Sequence, residues 1–313
     1  MNPGADQYRG AMLALAMGDA LGAPHEGGPL ERLVWRVIGS TRHGVRRFTD
    51  DTQMSLDLAE SLLACGDLDQ DDLAARFSCS YRWDRGYGPG AARVLKQIRS
   101  GQAWQEACRS VYPKGSFGNG GAMRAPVVGL FFFRCPERII PAAKQSAEVT
   151  HAHPVGMEAA SIIAGATAAA LKASDGRGIL ESASNAASGS EFHDAFSLAH
   201  SWLDSGVKSS PKEVRSRLGM DITATRSCVT AVYLAARFVD APFESLLRFA
   251  ADSGGDVDTV GAMAGAIWGA RNGFASLPAA DVGRVEDADR IDNLAVQLYE
   301  RSLTLSPSVM RPE

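Results

Sequence analysis

Two short acidic clusters that also carry threonine hydroxyls lie near opposite ends of the chain. One is Thr49-Asp50-Asp51-Thr52 and the other is Asp256-Val257-Asp258-Thr259. Carboxylate and hydroxyl oxygens are the hard ligands that Mg²⁺ and Mn²⁺ prefer. Asp and Thr are also common helix N-cap residues, but capping does not need two neighbouring carboxylates that repel each other. Two clusters of the same chemistry therefore predict one dinuclear metal site.

A glycine-rich loop, KGSFGNGGAMR at residues 114–124, is a candidate ligand-binding loop. Its glycines and short polar side chains let backbone N–H groups turn toward a ligand at the start of the next helix, where phosphate is favoured. The loop lacks the dinucleotide-binding fingerprint with its preceding strand, and it lacks the Lys-Ser/Thr ending of a P-loop. Taken alone, such a loop is weak evidence and is usually a simple turn.

Helical periodicity dominates the segments that must position these residues. Met12, Met17 and Leu21 mark a first helix that ends before Pro24, and a second helix begins at the first acidic cluster. Strand-like alternation is scarce, so the chain is predicted to be all-α and to form one domain over residues 1–313. The other predicted helices are Leu73–Tyr81, Gly90–Arg99, Ala122–Phe133, Pro154–Ala173, Glu191–Leu203, Ser227–Val239, Phe243–Asp252, Val260–Asn272 and Asp289–Leu303.

The predicted helix from Val260 carries Gly261, Gly265 and Gly269 at a spacing of four. A glycine face lets another helix approach closely, although each glycine lowers the intrinsic helix propensity. We therefore expect this helix to be central and closely packed.

Composition excludes several classes of protein. With 313 residues, 45% hydrophobic and 22% charged, the chain is expected to be soluble and globular. A net charge of -4 and the lack of a Lys/Arg-rich run give no nucleic-acid footprint. The apolar stretches Ala159–Leu171 and Val260–Ala270 are too short to span a bilayer, so no membrane partner is expected. Five separated cysteines and the lack of a visible export signal predict reduced thiols and a cytoplasmic location.

Five motifs, in this order, resemble those of the ADP-ribosylglycohydrolase family, the group of dinitrogenase-reductase-activating glycohydrolase and the ADP-ribosylhydrolases. They read GAMLALAMGDALGAPHE, FTDDTQMSL, GNGGAMRAPVVGL, THAHPVG and SGGDVDTVGAMAGAIWGA. The resemblance covers nearly the whole chain. It implies a compact orthogonal helical bundle around two Mg²⁺ or Mn²⁺ ions, with ADP-ribose bound beside them and its bond at the anomeric ribose carbon hydrolysed.

The resemblance also implies roles for individual residues. Glu26, in the run GAPHE, matches an acidic residue near the metals and is the first choice for proton transfer, with a metal-bound aspartate such as Asp258 second. The implied metal ligands are Thr49, Asp50, Asp51, Asp256, Asp258 and Thr259. The implied contacts to ADP-ribose are Gly118, Asn119, Gly120, Gly121, Met123 and His151.

One region departs from the family pattern. Arginine-directed members resemble one another in an acidic residue within a Phe-Asp-Ile-Gly-like stretch, whereas this chain reads Trp83-Asp84-Arg85-Gly86 in the corresponding region. Asp84 is the nearest carboxylate, but its neighbours do not match. The general base and a specificity for arginine are therefore both left open.

The function predicted from these features is metal-dependent hydrolysis of the bond between ADP-ribose and an acceptor, a modified protein side chain or a small molecule. Such a reaction would reverse ADP-ribosylation, either in regulation or as immunity against a toxin. Two alternatives stay open at this point. One is a module that binds ADP-ribose without cleaving it, and the other is a dinuclear-metal phosphohydrolase that attacks the diphosphate.

Overall fold

Helices form almost all of the regular structure in the computed structural model, which describes residues 3–27, 35, 38–41, 44–206 and 208–305. Over these ranges there is no strand, only isolated bridges such as Gly118 with Thr223. The all-α prediction is therefore confirmed. The α-helices of the described residues are α1 (Ala5–Gly22), α2 (Asp50–Cys65), α3 (Gln70–Ser80), α4 (Pro89–Arg99), α5 (Trp104–Ser110), α6 (Pro126–Phe131), α7 (Pro136–Glu148), α8 (Pro154–Leu171), α9 (Gly176–Ala186), α10 (His193–Asp204), α11 (Pro211–Arg217), α12 (Ala224–Arg237), α13 (Phe243–Ser253), α14 (Val257–Asn272), α15 (Ala279–Val282) and α16 (Ala288–Thr304).

The centre of the fold is the close packing of α14 against α1. A Cβ atom added at Gly18 or Gly269 would overlap backbone atoms of the opposite helix, and one at Gly22 would lie 2.6 Å from Cα of Asp258. Only glycine permits backbones to approach this closely. The expectation that the glycine-bearing helix is central is confirmed, and the contact brings the end of α1 against the start of α14.

Both acidic clusters lie at helix N-termini. Thr49 is the N-cap of α2, where its hydroxyl accepts a hydrogen bond from the backbone N–H of Asp51. Asp256 occupies the equivalent position before α14. A 3₁₀ helix at Ala23–His25 follows α1 and leads directly to Glu26. Helix N-termini carry partial positive charge, which favours the carboxylates placed there.

Two corrections concern the predicted helices. The helix predicted over Ala122–Phe133 begins only at Pro126, and the preceding residues form a 3₁₀ helix at Asn119–Gly121 and a turn. Pro126 has no N–H to donate and is therefore favourable only in the first helical turn. The other correction is that the prediction omitted α5, α7, α9, α11 and α15.

The apolar helix α8 is long enough and apolar enough to cross a membrane by length and composition alone. In this fold, however, 78% of its residues are buried within the protein. It packs between α7, α9 and α6 as an interior helix.

Candidate metal centre and cleft

The two acidic clusters meet in space, although they are far apart in sequence. The hydroxyl of Thr259 donates a hydrogen bond of 3.2 Å to Oδ2 of Asp51. The hydroxyl of Thr49 donates to the same oxygen over 3.2 Å. Both threonines thus orient the Asp51 carboxylate through Oδ2, and neither of them binds its other oxygen, Oδ1.

Five carboxylates form two overlapping groups that could hold metal ions. One group is Asp19, Asp51 and Asp258, and the other is Glu26, Asp256 and Asp258. Within each group the ligand oxygens all lie within 4.8 Å of one another. Because Asp258 belongs to both groups, two cation positions would share it.

Asp19 was missed as a site residue by the sequence reasoning. It lies in the middle of the apolar helix α1 and is fully buried. Its carboxylate accepts hydrogen bonds from the backbone N–H groups of Thr49 (2.9 Å) and Thr52 (3.0 Å), and from the Thr52 hydroxyl (2.6 Å). Asp19 therefore positions the first acidic cluster. A carboxylate in the middle of an apolar run was the signal available in the sequence, because such a group is rarely buried without a specific partner.

Two carboxylate oxygens in this centre, Oδ1 of Asp51 and Oδ1 of Asp258, are buried and have no hydrogen-bond partner among the described residues. Burial raises the pKa of Asp51 and of Asp258 well above the ordinary value, and the neighbouring carboxylates raise it further. Unpartnered charged oxygens in a buried site are costly unless a cation neutralises them. The donor set and these orphaned oxygens therefore fit a metal centre.

Asp50 takes a different position from its neighbour in the first cluster. Its carboxylate belongs to neither of the two groups, but it faces the adjoining cleft. Burial raises the pKa of Asp50 well above the ordinary value, and the negative charge of Asp19 raises it further. Its assignment as a metal ligand stays a prediction.

The metal centre opens into a cleft of about 200 Å³. Its lining includes Glu26, Asp256 and Asp258, together with residues of the glycine-rich loop and His151. A larger cavity of about 460 Å³ lies between α1 and α13, but it contains none of the clustered carboxylates. The clustered carboxylates therefore adjoin the smaller cleft. All the predicted ligand contacts except Gly121 line it, namely Gly118, Asn119, Gly120, Met123 and His151.

Asn119 joins the glycine-rich loop to the metal centre. Its side-chain amide donates to Oδ2 of Asp256 over 2.5 Å and to the hydroxyl of Ser227 over 3.1 Å. Its backbone N–H donates to the carbonyl of Ile222 over 3.0 Å. These bonds tie the loop to the carboxylates, so a ligand bound to the loop would lie beside the metal centre.

Comparison with known proteins gives a consistent assignment. Residues 2–307 match the family model described as ADP-ribosylglycohydrolase. The chain belongs to the ADP-ribosylglycohydrolase family. It is 31% identical to "ADP-ribosylhydrolase ARH3" of Danio rerio, with 94% of this chain and 90% of that protein covered. It is 28% identical to "ADP-ribosyl-[dinitrogen reductase] glycohydrolase" of Rhodospirillum rubrum, with 90% of each chain covered.

A solved structure titled "ADP-ribosylglycohydrolase-related protein complex" has the same fold. Its TM-score to this chain is 0.71 at 28% sequence identity, and 95% of this chain and 98% of that chain are covered. The resemblance inferred from the five motifs is therefore confirmed. Membership of the ADP-ribosylglycohydrolase family makes the protein a hydrolase of glycosyl bonds.

Asp84, the alternative acidic residue of this ADP-ribosylglycohydrolase, is held outside the cleft by two arginines. Its carboxylate lies 2.9 Å from the guanidinium of Arg47 and 2.9 Å from that of Arg82. Burial alone would raise the pKa of Asp84, but the hydrogen bonds from Arg82 and Arg47 outweigh it and lower the pKa to about 2. A carboxylate paired in this way is a poor proton acceptor at neutral pH.

The first prediction follows from this ion pair. Asp84→Asn should leave the turnover number close to that of the wild type, because the carboxylate neither lines the cleft nor accepts a proton. The measurement is single-turnover release of ADP-ribose from one defined substrate. A loss approaching the 10²–10⁴-fold expected for a lost acid/base group would instead make Asp84 the general base.

Proposed function

We propose that the protein uses two divalent cations, Mg²⁺ or Mn²⁺, to hydrolyse the bond between ADP-ribose and an acceptor. The observation that carries this proposal is the pair of buried, unpartnered carboxylate oxygens of Asp51 and Asp258. They lie where the acidic groups meet a cleft lined by a glycine-rich loop. Both halves of such a substrate are accommodated, because cations suit the ribose hydroxyls and backbone N–H groups suit the diphosphate.

The two acidic groups would hold the cations, and Asp258 would be shared. Divalent cations, when bound, supply Lewis-acid polarisation and lower the pKa of coordinated water. The chain's own contribution is to orient the ligands. Asp19 holds the backbone of the first cluster, and the hydroxyls of Thr49 and Thr259 fix one oxygen of Asp51.

Proton transfer is assigned to Glu26. Cleavage at the anomeric carbon passes through an oxocarbenium-like state, and an attacking water must lose a proton. Glu26 follows directly after the 3₁₀ helix at the end of α1, and its side chain lines the cleft beside Asp256 and Asp258. A carboxylate in this position can accept a proton from water and return it to the leaving group.

A modified protein side chain is the proposed acceptor. The name of the Rhodospirillum rubrum relative specifies a modified protein, dinitrogen reductase. The cleft itself is bordered by apolar side chains that are exposed to solvent. Tyr112 and Ile222 line it and are 50% and 67% exposed, and Phe117, beside Gly118, is 53% exposed. Exposed apolar groups around a cleft favour contact with another protein surface.

The test is product analysis with a panel of peptides that carry ADP-ribose on arginine or on serine. Each peptide is incubated with Mg²⁺, with Mn²⁺ or with a chelator. Release of intact ADP-ribose from at least one peptide, only when a divalent ion is present, is the expected result. AMP plus ribose phosphate would indicate the phosphohydrolase, and tight binding without any product would indicate the binding module.

We also propose a cytoplasmic location. Cys65 and Cys79 form no disulfide and are exposed. Free exposed thiols are typical of proteins in a reducing compartment. Fractionation of the native host, followed by detection of the full chain, tests this proposal.

The second prediction concerns the glycine-rich loop. A Cβ atom at Gly120 would lie 2.5 Å from Cε1 and 2.8 Å from Nε2 of His151. Gly120→Ala should therefore displace the His151 ring or the loop and raise the Kd for ADP-ribose by about tenfold or more, which corresponds to about 1.4 kcal/mol. Stabilisation by Mg²⁺ should persist, because Gly120 is not a carboxylate ligand. Isothermal titration calorimetry measures the Kd for ADP-ribose, and thermal unfolding measures the stabilisation by Mg²⁺.

Gly283→Ala is the matched control for this prediction. Gly283 lies beyond the cleft, and the nearest atom to an added Cβ is the carbonyl oxygen of Ala279 at 3.8 Å, an ordinary contact. The same added methyl group should therefore leave the Kd unchanged. Equal affinity in both variants would show that the loop is a simple turn.

A further inference from the structure

A guanidinium without a carboxylate partner lies beneath the glycine-rich loop. Arg124 is fully buried, and no ion pair is found for it among the described residues. It donates to the carbonyl of Gly120 over 2.5 Å, to the carbonyl of Ser146 over 2.8 Å and to the hydroxyl of Thr150 over 3.0 Å. Its Cζ atom lies over the ring of Phe77, 4.7 Å from the centroid. Arg124 therefore connects the loop to the end of α7.

The chain of hydrogen bonds continues from Thr150 to His151. The Thr150 hydroxyl oxygen lies 2.8 Å from Nδ1 of His151. An arginine can only donate, so the Thr150 oxygen must accept from Arg124. The single hydroxyl proton of Thr150 is then available to donate to Nδ1 of His151.

The reverse arrangement is disfavoured. If Nδ1 carried the proton and donated to Thr150, the Thr150 O–H would have no acceptor among the described residues, because its neighbours Arg124 and His151 would both donate to it. Thr150 is buried, and an unsatisfied buried donor costs about 1–3 kcal/mol. A neutral His151 with an unprotonated Nδ1 must carry its proton on Nε2.

The Nε2 atom of His151 lies at the cleft, where its N–H group can bind a ligand. His151 lines the cleft, and its Nε2 lies close to Gly118 and Gly120. A Cβ atom added at these glycines would lie 3.4 Å and 2.8 Å from Nε2, respectively. An Nε2–H group there lies beside the backbone N–H groups of Gly120 and Gly121, for which no acceptor is found among the described residues, whereas the N–H of Asn119 donates to the carbonyl of Ile222. The site thus collects donors, as an anionic oxygen requires.

We propose that Arg124 and Thr150 are positioning residues that hold His151 as the neutral Nε2–H tautomer, a fixed donor to an anionic oxygen of the ligand. His151 then acts in binding and does not accept a proton in catalysis. The identity of that oxygen as one of the ADP-ribose diphosphate rests on the proposed function. The tautomer itself does not.

The tautomer is tested by nitrogen NMR of protein labelled with ¹⁵N-histidine, without ligand and at neutral pH. The His151 signals are assigned by their loss in His151→Asn. The expected wild-type pattern is a protonated Nε2 and an unprotonated Nδ1. A protonated Nδ1, alone or together with a protonated Nε2, would overturn the proposal.

The pair Thr150→Val and Thr150→Ser isolates the hydroxyl. Valine has the shape of threonine but cannot donate a hydrogen bond to Nδ1, so the Nε2–H preference should be lost in Thr150→Val, whereas Thr150→Ser should retain it. In turnover assays, Thr150→Val should raise KM by about tenfold, the scale of one hydrogen bond, with kcat nearly unchanged. An unaltered tautomer in Thr150→Val would overturn the positioning role of the Thr150 hydroxyl. Failure of the wild type to bind ADP-ribose, with the tautomer as expected, would instead overturn the proposed function.

Discussion

Asp258→Asn should abolish hydrolysis and, at the same time, make the metal-free protein more stable at pH 8. Asp258 is shared by both carboxylate groups, so its replacement removes an anionic ligand from each. Mg²⁺ or Mn²⁺ should then no longer raise the melting temperature. For the wild type, an ion present at 100 times its Kd adds about 2.7 kcal/mol to the free energy of unfolding.

The stabilising effect follows from the pKa of Asp258, which burial and then Glu26 raise well above the ordinary value in the folded state. The unfolded state has a value near 3.9. Between these two values the folded protein binds more protons, so stability falls as the pH rises through this window. Above it, the metal-free centre holds mutually repelling carboxylates. Asparagine stays neutral, so the variant loses this penalty.

The measurement is thermal unfolding in a chelating buffer from pH 5 to pH 8, repeated with excess Mg²⁺. The advantage of Asp258→Asn over the wild type should grow with pH in the chelator and should reverse with Mg²⁺. Asp240→Asn is the control, because Asp240 is exposed and lies outside both groups. A chelated Asp258→Asn protein that is less stable than the wild type at pH 8, or a fully active one, would contradict the shared-ligand assignment.

Glu26→Gln should lower turnover by about 10²–10⁴-fold, the effect typical of a lost acid/base group. Glutamine preserves the size of the side chain but cannot accept a proton. ADP-ribose affinity should change little, because the proposed diphosphate contacts come from the glycine-rich loop. The assay is single-turnover release of ADP-ribose at saturating metal concentration.

The position of Glu26 requires a second measurement. Its carboxylate lies with those of Asp256 and Asp258, so the variant could lose metal affinity as well as proton transfer. A Mn²⁺ titration monitored by electron paramagnetic resonance gives the metal Kd directly. A turnover defect that persists at full metal occupancy assigns proton transfer to Glu26. A defect that excess metal removes assigns Glu26 to metal binding. The control is the Asp84→Asn variant, which also loses one carboxylate.

The residues that share the metal centre were only partly predictable from the sequence. The two clusters were recognisable because carboxylates and hydroxyls are adjacent in the chain. The addition of Asp19 depends on the packing of α1 against α14, and no local pattern indicates which turn of one helix faces the other. The same packing explains the place of Glu26, which lies beside Asp256 and Asp258 because Gly22 contacts the backbone of Asp258.

The helix predictions failed where local preference and tertiary packing disagree. Helix α7 contains Pro141 in its interior, and α9 begins at Gly176, where an added Cβ would overlap the backbone of Ala236. Proline and glycine usually indicate helix ends. Burial of Ile139, Ile179 and Leu180 in the core stabilises these segments as helices despite the unfavourable residues.

The separation of Asp51 and Thr259, which lie 208 residues apart and share a hydrogen bond, also determines when the metal centre can form. During synthesis at about 5–20 residues per second, Thr259 follows Asp51 by about 10–40 s. Over that interval α1 and α2 carry their carboxylates without α14, which supplies Asp258 and the close backbone contact. Both proposed cation positions need Asp258. We therefore expect metal loading to follow the synthesis and packing of α14.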